Sequence, residues 1–149
     1  MSRFKFRLET LLRTRVADRQ EKRVELAQAY RAETLLNEEA DRLSRERQAT
    51  RGAARDATGN GTINVDVLRS VHRHAVLLEA QSRLIQQRSA QLKEEIERRR
   101  VELVEADRRV RVLEKLRERQ RELFHADVWK RELKELDEIA LRSASQESG

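Results

Sequence analysis

Apolar residues recur at alternating intervals of three and four along the second half of the chain. The series is Leu68, Val71, Ala75, Leu78, Ile85, Leu92, Ile96, Leu103, Ala106, Val110 and Leu113. Polar residues stand at three places of the same register, namely Ser82, Ser89 and Arg99. The pattern covers about seven heptads, which is typical of a helix that packs along one stripe in a coiled coil. It argues against disorder, although 40% of the residues are charged and disordered chains share that composition.

The first half of the chain has a weaker stripe that is rich in alanine. Its members are Leu8, Leu12, Leu26, Ala29, Leu36, Ala40, Leu43, Ala54 and Ala57. A mostly polar gap separates Arg13 from Lys22. Small residues let a partner helix approach closely, although each turn then buries less apolar area. We predict one coiled-coil domain over residues 1–149, with helices over about 4–57 and about 64–141 and a frayed tail over 143–149.

Gly59, Asn60 and Gly61 lie between the two stripes, in a chain that has no proline. These residues tolerate positive φ, so they predict a turn over residues 58–63 at which the chain reverses. Asn64 is suited to cap the following helix. The predicted fold is all-α: an antiparallel two-helix coiled-coil hairpin whose second helix is longer than the first.

Two other folds fit parts of this stretch. A β-hairpin centred on Asn60 and Gly61 would use the alternation of Ile63, Val65 and Val67, but the preceding residues offer no matching strand. A single long helix with a local break is the other alternative. The helical hairpin is favoured over both, and Ile63 and Leu68 are placed to act as a hydrophobic staple around the cap.

Reversal at Asn60 pairs residue i with roughly residue 120 − i. The apolar positions then coincide: Leu43 with Leu78, Leu36 with Ile85, Val24 with Ile96, and Leu8 with Leu113. Beyond Leu113 the apolar stripe changes register and continues through Trp129, Leu133, Leu136 and Ala140. The change begins where the first helix has no residues left to pair. We therefore expect the last turns of the second helix to extend past the first.

Basic residues are concentrated in two stretches that the hairpin would bring together. Residues 1–23 hold eight Lys/Arg against three Asp/Glu, and residues 98–122 hold ten against six. One interpretation is a solvated surface with ion pairs within each helix, such as Glu118 with Arg121. The other is a basic end that docks on an acidic partner or on phosphate. Nucleic acid is disfavoured because the aromatic residues form no stacking series and no DNA-binding motif appears.

The sequence offers little for catalysis or cofactor binding. A two-helix hairpin has no enclosed pocket. His72 and His74 lie two residues apart, on different sides of a helix, and there is no cysteine, so no metal-ligand spacing appears. We expect no enzyme activity, cofactor or metal. We also expect a cytoplasmic protein without direct membrane insertion, since no apolar run approaches the roughly 20 residues of a membrane span and no signal peptide is evident.

Three local features resemble one known family. They are the opening Phe4-Lys5-Phe6-Arg7-Leu8-Glu9-Thr10-Leu11-Leu12-Arg13, the Gly59-Asn60-Gly61 turn, and the closing Glu132-Leu133-Lys134-Glu135-Leu136-Asp137-Glu138-Ile139-Ala140. Their order and spacing are similar to those of the flagellar type III export protein FliJ, over essentially the whole chain. The resemblance implies a non-enzymatic stalk of the bacterial flagellar export apparatus, peripherally associated with it at the inner membrane. The implied partners are the hexameric export ATPase ring, the export gate protein and export chaperones.

The resemblance also implies contact residues. The terminal end of the hairpin would contact the ATPase through Phe4, Phe6, Arg7, Arg13, Arg15, Arg131, Leu136, Asp137 and Ile139. The gate would bind near His74 and Leu78, although Leu78 also belongs to the packed stripe and other family members have an aromatic residue near here. Reversing Arg13, Arg15 and Arg19 to glutamate is expected to weaken ATPase activation without loss of helicity. Two other functions remain open: a generic scaffold that dimerises in parallel, and a basic helix pair associated with nucleic acid.

Overall fold

Two α-helices account for nearly all of the structure. The computed structural model describes residues 3–59 and 61–147. Helix α1 spans Glu9–Gly59 and helix α2 spans Val65–Glu147; the described residues contain no strand. The helices pack against each other in antiparallel order as a hairpin, and α2 is the longer one. The predicted all-α hairpin is therefore confirmed.

Both helices end later than the sequence predicted, and α1 also begins later. Residues 3–6 are not helical, because Phe6 is drawn into a hydrophobic cluster and its carbonyl accepts the Glu9 N–H at 3.3 Å. At the other end α2 continues to Glu147, so residues 143–147, predicted as a frayed tail, are helical. Residues 148 and 149 lie outside the described part.

The turn between the helices has the chemistry that the sequence predicted. Gly61 adopts φ of 75°, the left-handed region that glycine enters without steric penalty. The side-chain oxygen of Asn64 accepts hydrogen bonds from the N–H groups of Asp66 and Val67, both at 3.2 Å. Asn64 is therefore an N-cap, as predicted. The predicted turn residue Asn60 lies outside the described residues, and Gly59 is the last residue of α1.

The contacts divide the chain into two compact units. One unit consists of Met1–Gln20 and Val104–Gly149, and the other of Glu21–Leu103; we call them the terminal unit and the turn unit. The core of the terminal unit is a cluster of Phe6, Leu12 and Val110, against which Phe4, Leu113 and Leu116 pack.

The helix pairing in the terminal unit differs from the predicted register. Arg19 pairs with Asp107 and Glu9 with Arg117, so residue i faces about residue 125 − i rather than 120 − i. Leu8, the predicted partner of Leu113, is exposed. Phe6 and Leu12 take its place in the core.

The turn unit has the same shifted register. Its cross-helix ion pairs join Lys22 to Glu102 and Arg47 to Glu79. Val24, the predicted partner of Ile96, is exposed, whereas Ala29 is buried. The shift arises because α1 continues through Gly59 and α2 starts only at Val65, which moves the centre of the reversal past Asn60.

The shifted register places large residues opposite small ones. Leu43 and Ile85 line one small cleft together with Ala40 and Ser82, and Leu43 is among the most buried side chains. The alanine and serine positions of the stripes therefore leave room for leucine and isoleucine from the other helix. Such large-to-small packing allows two helices to approach closely.

Candidate functional site

The non-helical segment at residues 3–7 is anchored by its two aromatic side chains. Phe6 is buried between Leu12 and Val110. The Phe4 ring is half-buried, and its centroid lies 5.7 Å from that of Phe124, with the ring planes tilted by 51°. Phe4 and Phe6 are the two aromatic residues among the predicted ATPase contacts. Phe6 therefore packs in the core, and Phe4 packs there in part. Arg7, which follows Phe6 and precedes α1, is exposed.

Beyond Phe124, α2 has no packing partner within the described residues. We call residues 125–145 the overhang. Every side chain in it is exposed except that of Val128, which is half-buried. Its large exposed apolar side chains are Trp129, Leu133, Leu136, Ile139 and Leu141. An exposed apolar group of this kind is unusual for a monomeric surface, which makes the overhang a candidate interaction surface.

The overhang contains four of the predicted ATPase contacts, namely Arg131, Leu136, Asp137 and Ile139, all exposed. The sequence-based list omitted Trp129 and Leu133. The signal that would have included them is the change of register after Leu113, since a stripe without a partner helix must face solvent or another molecule.

Ion pairs neutralise much of the basic surface of the terminal unit. Arg108 and Arg109 pair with Glu105, and Arg121 pairs with Glu118 at 3.2 Å, as predicted. Arg13 approaches Glu9 only at 3.8 Å with its side chain 80% exposed. Within the described part of this unit the cations without an ion pair include Arg3, Lys5, Arg7, Arg15 and Arg131. Lys115, Arg119, Lys130, Lys134 and Arg142 of α2 also have no ion pair among the described residues. The cationic character available to a partner is thus divided between the amino-terminal segment and α2.

Arg19 belongs to the packing between the helices rather than to a docking surface. Its Nη1 donates to Asp107 Oδ1 at 3.1 Å, and the two side chains are only 19% and 26% exposed. Arg111 Nε lies 2.8 Å from the other oxygen of Asp107 and forms an ion pair with it. The Arg19 Nε–H is buried and has no partner among the described residues. Reversing Arg19 would therefore remove an ion pair between the helices, in addition to any effect on docking.

A second polar layer joins the helices in the turn unit. Lys22 Nζ lies 3.3 Å from Glu25 Oε2 and 3.4 Å from Glu102 Oε2. Hydrogen bonding to Glu25, followed by the weaker influence of Glu102, raises the pKa of Lys22. The predicted polar gap after Arg13 is thus bridged by ion pairs.

Arg99, which interrupts the apolar stripe, also connects the two helices. Its Nη1 donates to the Glu25 carbonyl at 2.5 Å, and its Nε donates to Glu95 Oε1 at 2.7 Å. Arg98 donates to the other oxygen of Glu95. The hydrogen bonds from Arg98 and Arg99 lower the pKa of Glu95.

A groove of about 670 Å³ opens between the helices on the turn side of the turn unit. Its lining is Arg47, Thr50, Arg51, Ala54, Val65, Leu68, Arg69, Val71, His72, Ala75, Leu78 and Glu79. Apolar residues and alanines form most of this surface because the small residues of α1 leave the space between the helices unfilled.

The rim of the groove carries positive charge. Arg47 is held by Glu79 at 2.8 Å, whereas Arg51 and Arg69 have no ion pair within the described residues. His72 lies beside them in the lining. The groove therefore presents an apolar floor and a cationic edge.

The structure separates the two predicted gate contacts. Leu78 is 1% exposed, so it packs between the helices and reaches the groove only as part of its wall. His74 is exposed and does not line the groove, whereas His72 does. Sequence reasoning missed Arg51 and Arg69. Arg69 lies three residues before His72 on the same side of α2, and Arg51 lines the groove from α1.

Metal and membrane sites find no support in the described chain. Residues 3–59 and 61–147 contain no group of three or more histidines and carboxylates that could hold a metal ion. In the same residues neither helix contains a stretch apolar enough to cross a membrane.

Comparison with known proteins identifies a family. A family model described as flagellar FliJ protein matches residues 4–149. No curated protein and no solved structure matches the chain. The match covers both units and both helices.

Proposed function

The chain belongs to the flagellar FliJ family, and from that premise we propose that it is the stalk that binds and activates the hexameric flagellar export ATPase. Members of this family are non-catalytic components of the flagellar type III protein export apparatus. The proposal adds that the overhang and the amino-terminal segment contact the ATPase ring, that the groove contacts the export gate, and that export chaperones bind elsewhere on the chain.

The observation that carries the ATPase contact is the overhang. It is a single helix with exposed leucines, an isoleucine and a tryptophan, and a single helix is narrow enough to enter the centre of a ring. Phe4 rests against Phe124, which brings the free cations Arg3, Lys5 and Arg7 close to the base of the overhang. Apolar side chains supply affinity, and the cations supply attraction to acidic ring residues.

The test is ATP hydrolysis by the cognate export ATPase with increasing amounts of this protein, with ring assembly followed in the same samples. The wild-type protein should stimulate hydrolysis and promote rings. Leu136→Asp should weaken the apparent affinity at least about tenfold, because burying one leucine contributes roughly 2 kcal/mol and the carboxylate adds a desolvation penalty.

The matched control is Leu35→Asp, since Leu35 is 65% exposed and Leu136 63% exposed. This variant should stimulate like the wild type. Arg7→Glu should weaken stimulation more at low salt than at high salt, whereas Arg88→Glu on the exposed side of α2 should not. Equal behaviour of Leu136→Asp and Leu35→Asp would show that the overhang is not the ATPase contact.

For the gate contact we propose the groove of the turn unit. The groove has a volume of about 670 Å³ and an apolar floor edged by Arg51, Arg69 and His72. It therefore suits a partner segment with apolar side chains and acidic neighbours. His74 remains the alternative on the other side of the helix.

The two histidines discriminate between these surfaces. His72→Ala should weaken binding of the purified cytoplasmic part of the export gate if the groove is the contact, and His74→Ala should leave it unchanged. The reverse result would place the gate on the exposed His74 side. Binding can be followed by calorimetry, with circular dichroism to check that both variants keep the helical content of the wild type.

A further inference from the structure

The overhang carries an apolar stripe that the chain itself does not cover. Successive helical residues are rotated by about 100°, so Trp129, Leu133, Leu136 and Ala140 lie within roughly 60° of one another. All four are exposed.

The residues around the stripe follow the heptad pattern of a two-helix seam. Trp129 and Leu136 occupy d positions, and Leu133 and Ala140 occupy a positions. Between Trp129 and Ala140, the b, c and f positions, which lie away from the seam, are all charged: Arg131, Lys134, Glu135 and Glu138. A stripe of this kind is built to pack against one further helix.

We propose that this helix is the overhang of a second copy of the chain, packed in antiparallel orientation. An antiparallel pair sets a positions against d positions, so Leu133 meets Leu136 of the second copy, and Trp129 meets Ala140. The twofold axis repeats both contacts. The largest side chain of the stripe is therefore matched with the smallest, which is the large-to-small packing seen within the hairpin itself.

Charge complementarity selects the antiparallel orientation. In it the e positions face each other, so Lys130 faces Asp137 of the second copy, and symmetry gives two attractive pairs. A parallel pair would instead set Glu132 at g beside Asp137 at the next e position, which repels twice. In the described part of the chain neither Lys130 nor Asp137 has an ion pair, so both are free to form these contacts.

The interface is short, and the dimer is accordingly weak. Overlap of residues 126–143 spans about 27 Å at 1.5 Å per residue, less than the length of most stable coiled coils. The dimer covers Leu136 and Asp137. Given the proposed function, on which this last step alone depends, dimerisation and ATPase binding exclude each other, and the dimeric fraction of the protein hides its ATPase-binding stripe.

Sedimentation velocity of the full chain over a concentration series from low micromolar to millimolar tests the dimer without any ATPase. The chain has one tryptophan, so the emission of Trp129 reports on the same interface. The mass should rise from monomer to dimer, and the emission should shift to shorter wavelength with the same midpoint. A monomeric mass throughout the series would overturn the proposal.

Charge exchange then tests the orientation. Lys130→Glu and Asp137→Lys should each weaken the dimer about tenfold, since two attractive pairs become two repulsive ones. The double variant should regain the wild-type dissociation constant to within about threefold. Helical content by circular dichroism should be equal in all four proteins. A parallel dimer would be strengthened by Asp137→Lys, and that result would refute the antiparallel arrangement.

The proposed dimer and the proposed ATPase contact can be refuted independently of each other. A dimer that forms as described, together with a Leu136→Asp variant that still activates the ATPase, would remove the ATPase contact and keep the dimer. A monomeric chain whose Leu136→Asp variant loses activation would do the opposite.

Discussion

Gly61 occupies a backbone conformation that other residues adopt only with strain. Its φ is 75°, and Gly59 has no such positive φ. An added methyl group meets no atom within 4 Å at either glycine, so the two positions differ in backbone conformation and not in space. Gly61→Ala should lower the free energy of unfolding by about 1 kcal/mol, whereas Gly59→Ala, at the end of α1, should leave it unchanged or raise it by up to about 1 kcal/mol. Urea denaturation followed by circular dichroism measures both, and equal effects would contradict the conformational explanation.

Arg19 and Asp107 form the most buried ion pair that crosses between the helices of the terminal unit. Asp107→Ala leaves the largely buried guanidinium of Arg19 without its partner, so it should destabilise the protein by about 1–3 kcal/mol. Arg19→Met keeps the apolar stem and should cost less.

The matched control for this pair is Arg111→Ala. Arg111 forms an ion pair with the same carboxylate at 2.8 Å, but its side chain is 71% exposed. It should therefore change the free energy of unfolding by no more than about 0.5 kcal/mol. If Asp107→Ala proved as mild as this control, Arg19 would not depend on Asp107 in the packed seam.

At the scale of the element, Glu95 links one turn of α2 to α1 through Arg99. Hydrogen bonds from Arg98 and Arg99 hold the pKa of Glu95 below its ordinary value of 4.5. A carboxylate with a lowered folded-state pKa contributes stability above its unfolded pKa and loses that contribution as the pH falls through the folded value. Wild type should therefore exceed Glu95→Gln in free energy of unfolding at pH 7, and the difference should shrink below about pH 4.5.

The comparison with Glu95→Gln isolates one group, since the other carboxylates titrate in both proteins. Urea denaturation at a series of pH values from 7 to 3 supplies the measurement. A difference that stayed constant with pH would mean that the contribution of Glu95 does not depend on its charge.

The helices were predictable because their signals are local. The interval of three and four fixes which side of α2 is buried, and Asn64 caps its start through its own side chain. The register was not predictable to the residue, because it depends on where the reversal is centred. The reversal is centred a few residues later than predicted, so Ala29 rather than Val24 lies opposite Ile96.

The amino-terminal boundary shows the same limit. Residues 4–8 are compatible with a helix, but Phe6 gains more by packing between Leu12 and Val110, a contact between residues far apart in sequence. The candidate sites divide similarly. The overhang was predictable because the apolar stripe of α2 changes register where α1 has no residues left to pair. The groove and the burial of Leu78, in contrast, depend on the three-dimensional register.

At the scale of the whole molecule, the two candidate contacts have different chemistry. The overhang of the terminal unit offers exposed apolar side chains on a nearly neutral helix, with four Lys/Arg and five Asp/Glu in residues 125–145. The groove of the turn unit offers an apolar floor edged by arginines. A component that couples an ATPase to an export gate needs two surfaces that do not compete, and surfaces this dissimilar are suited to distinct partners.

The two surfaces should therefore be separable by substitution. Leu136→Asp should lose ATPase activation and keep gate binding, whereas His72→Ala should keep activation and lose gate binding, each by about tenfold. The double variant should show the sum of the two losses, because residues in separate units that share no partner act independently. ATP hydrolysis and calorimetric gate binding, measured on the same four proteins, give a direct check. A loss of gate binding in Leu136→Asp would mean that both partners use the overhang, and the groove would then have no part in coupling.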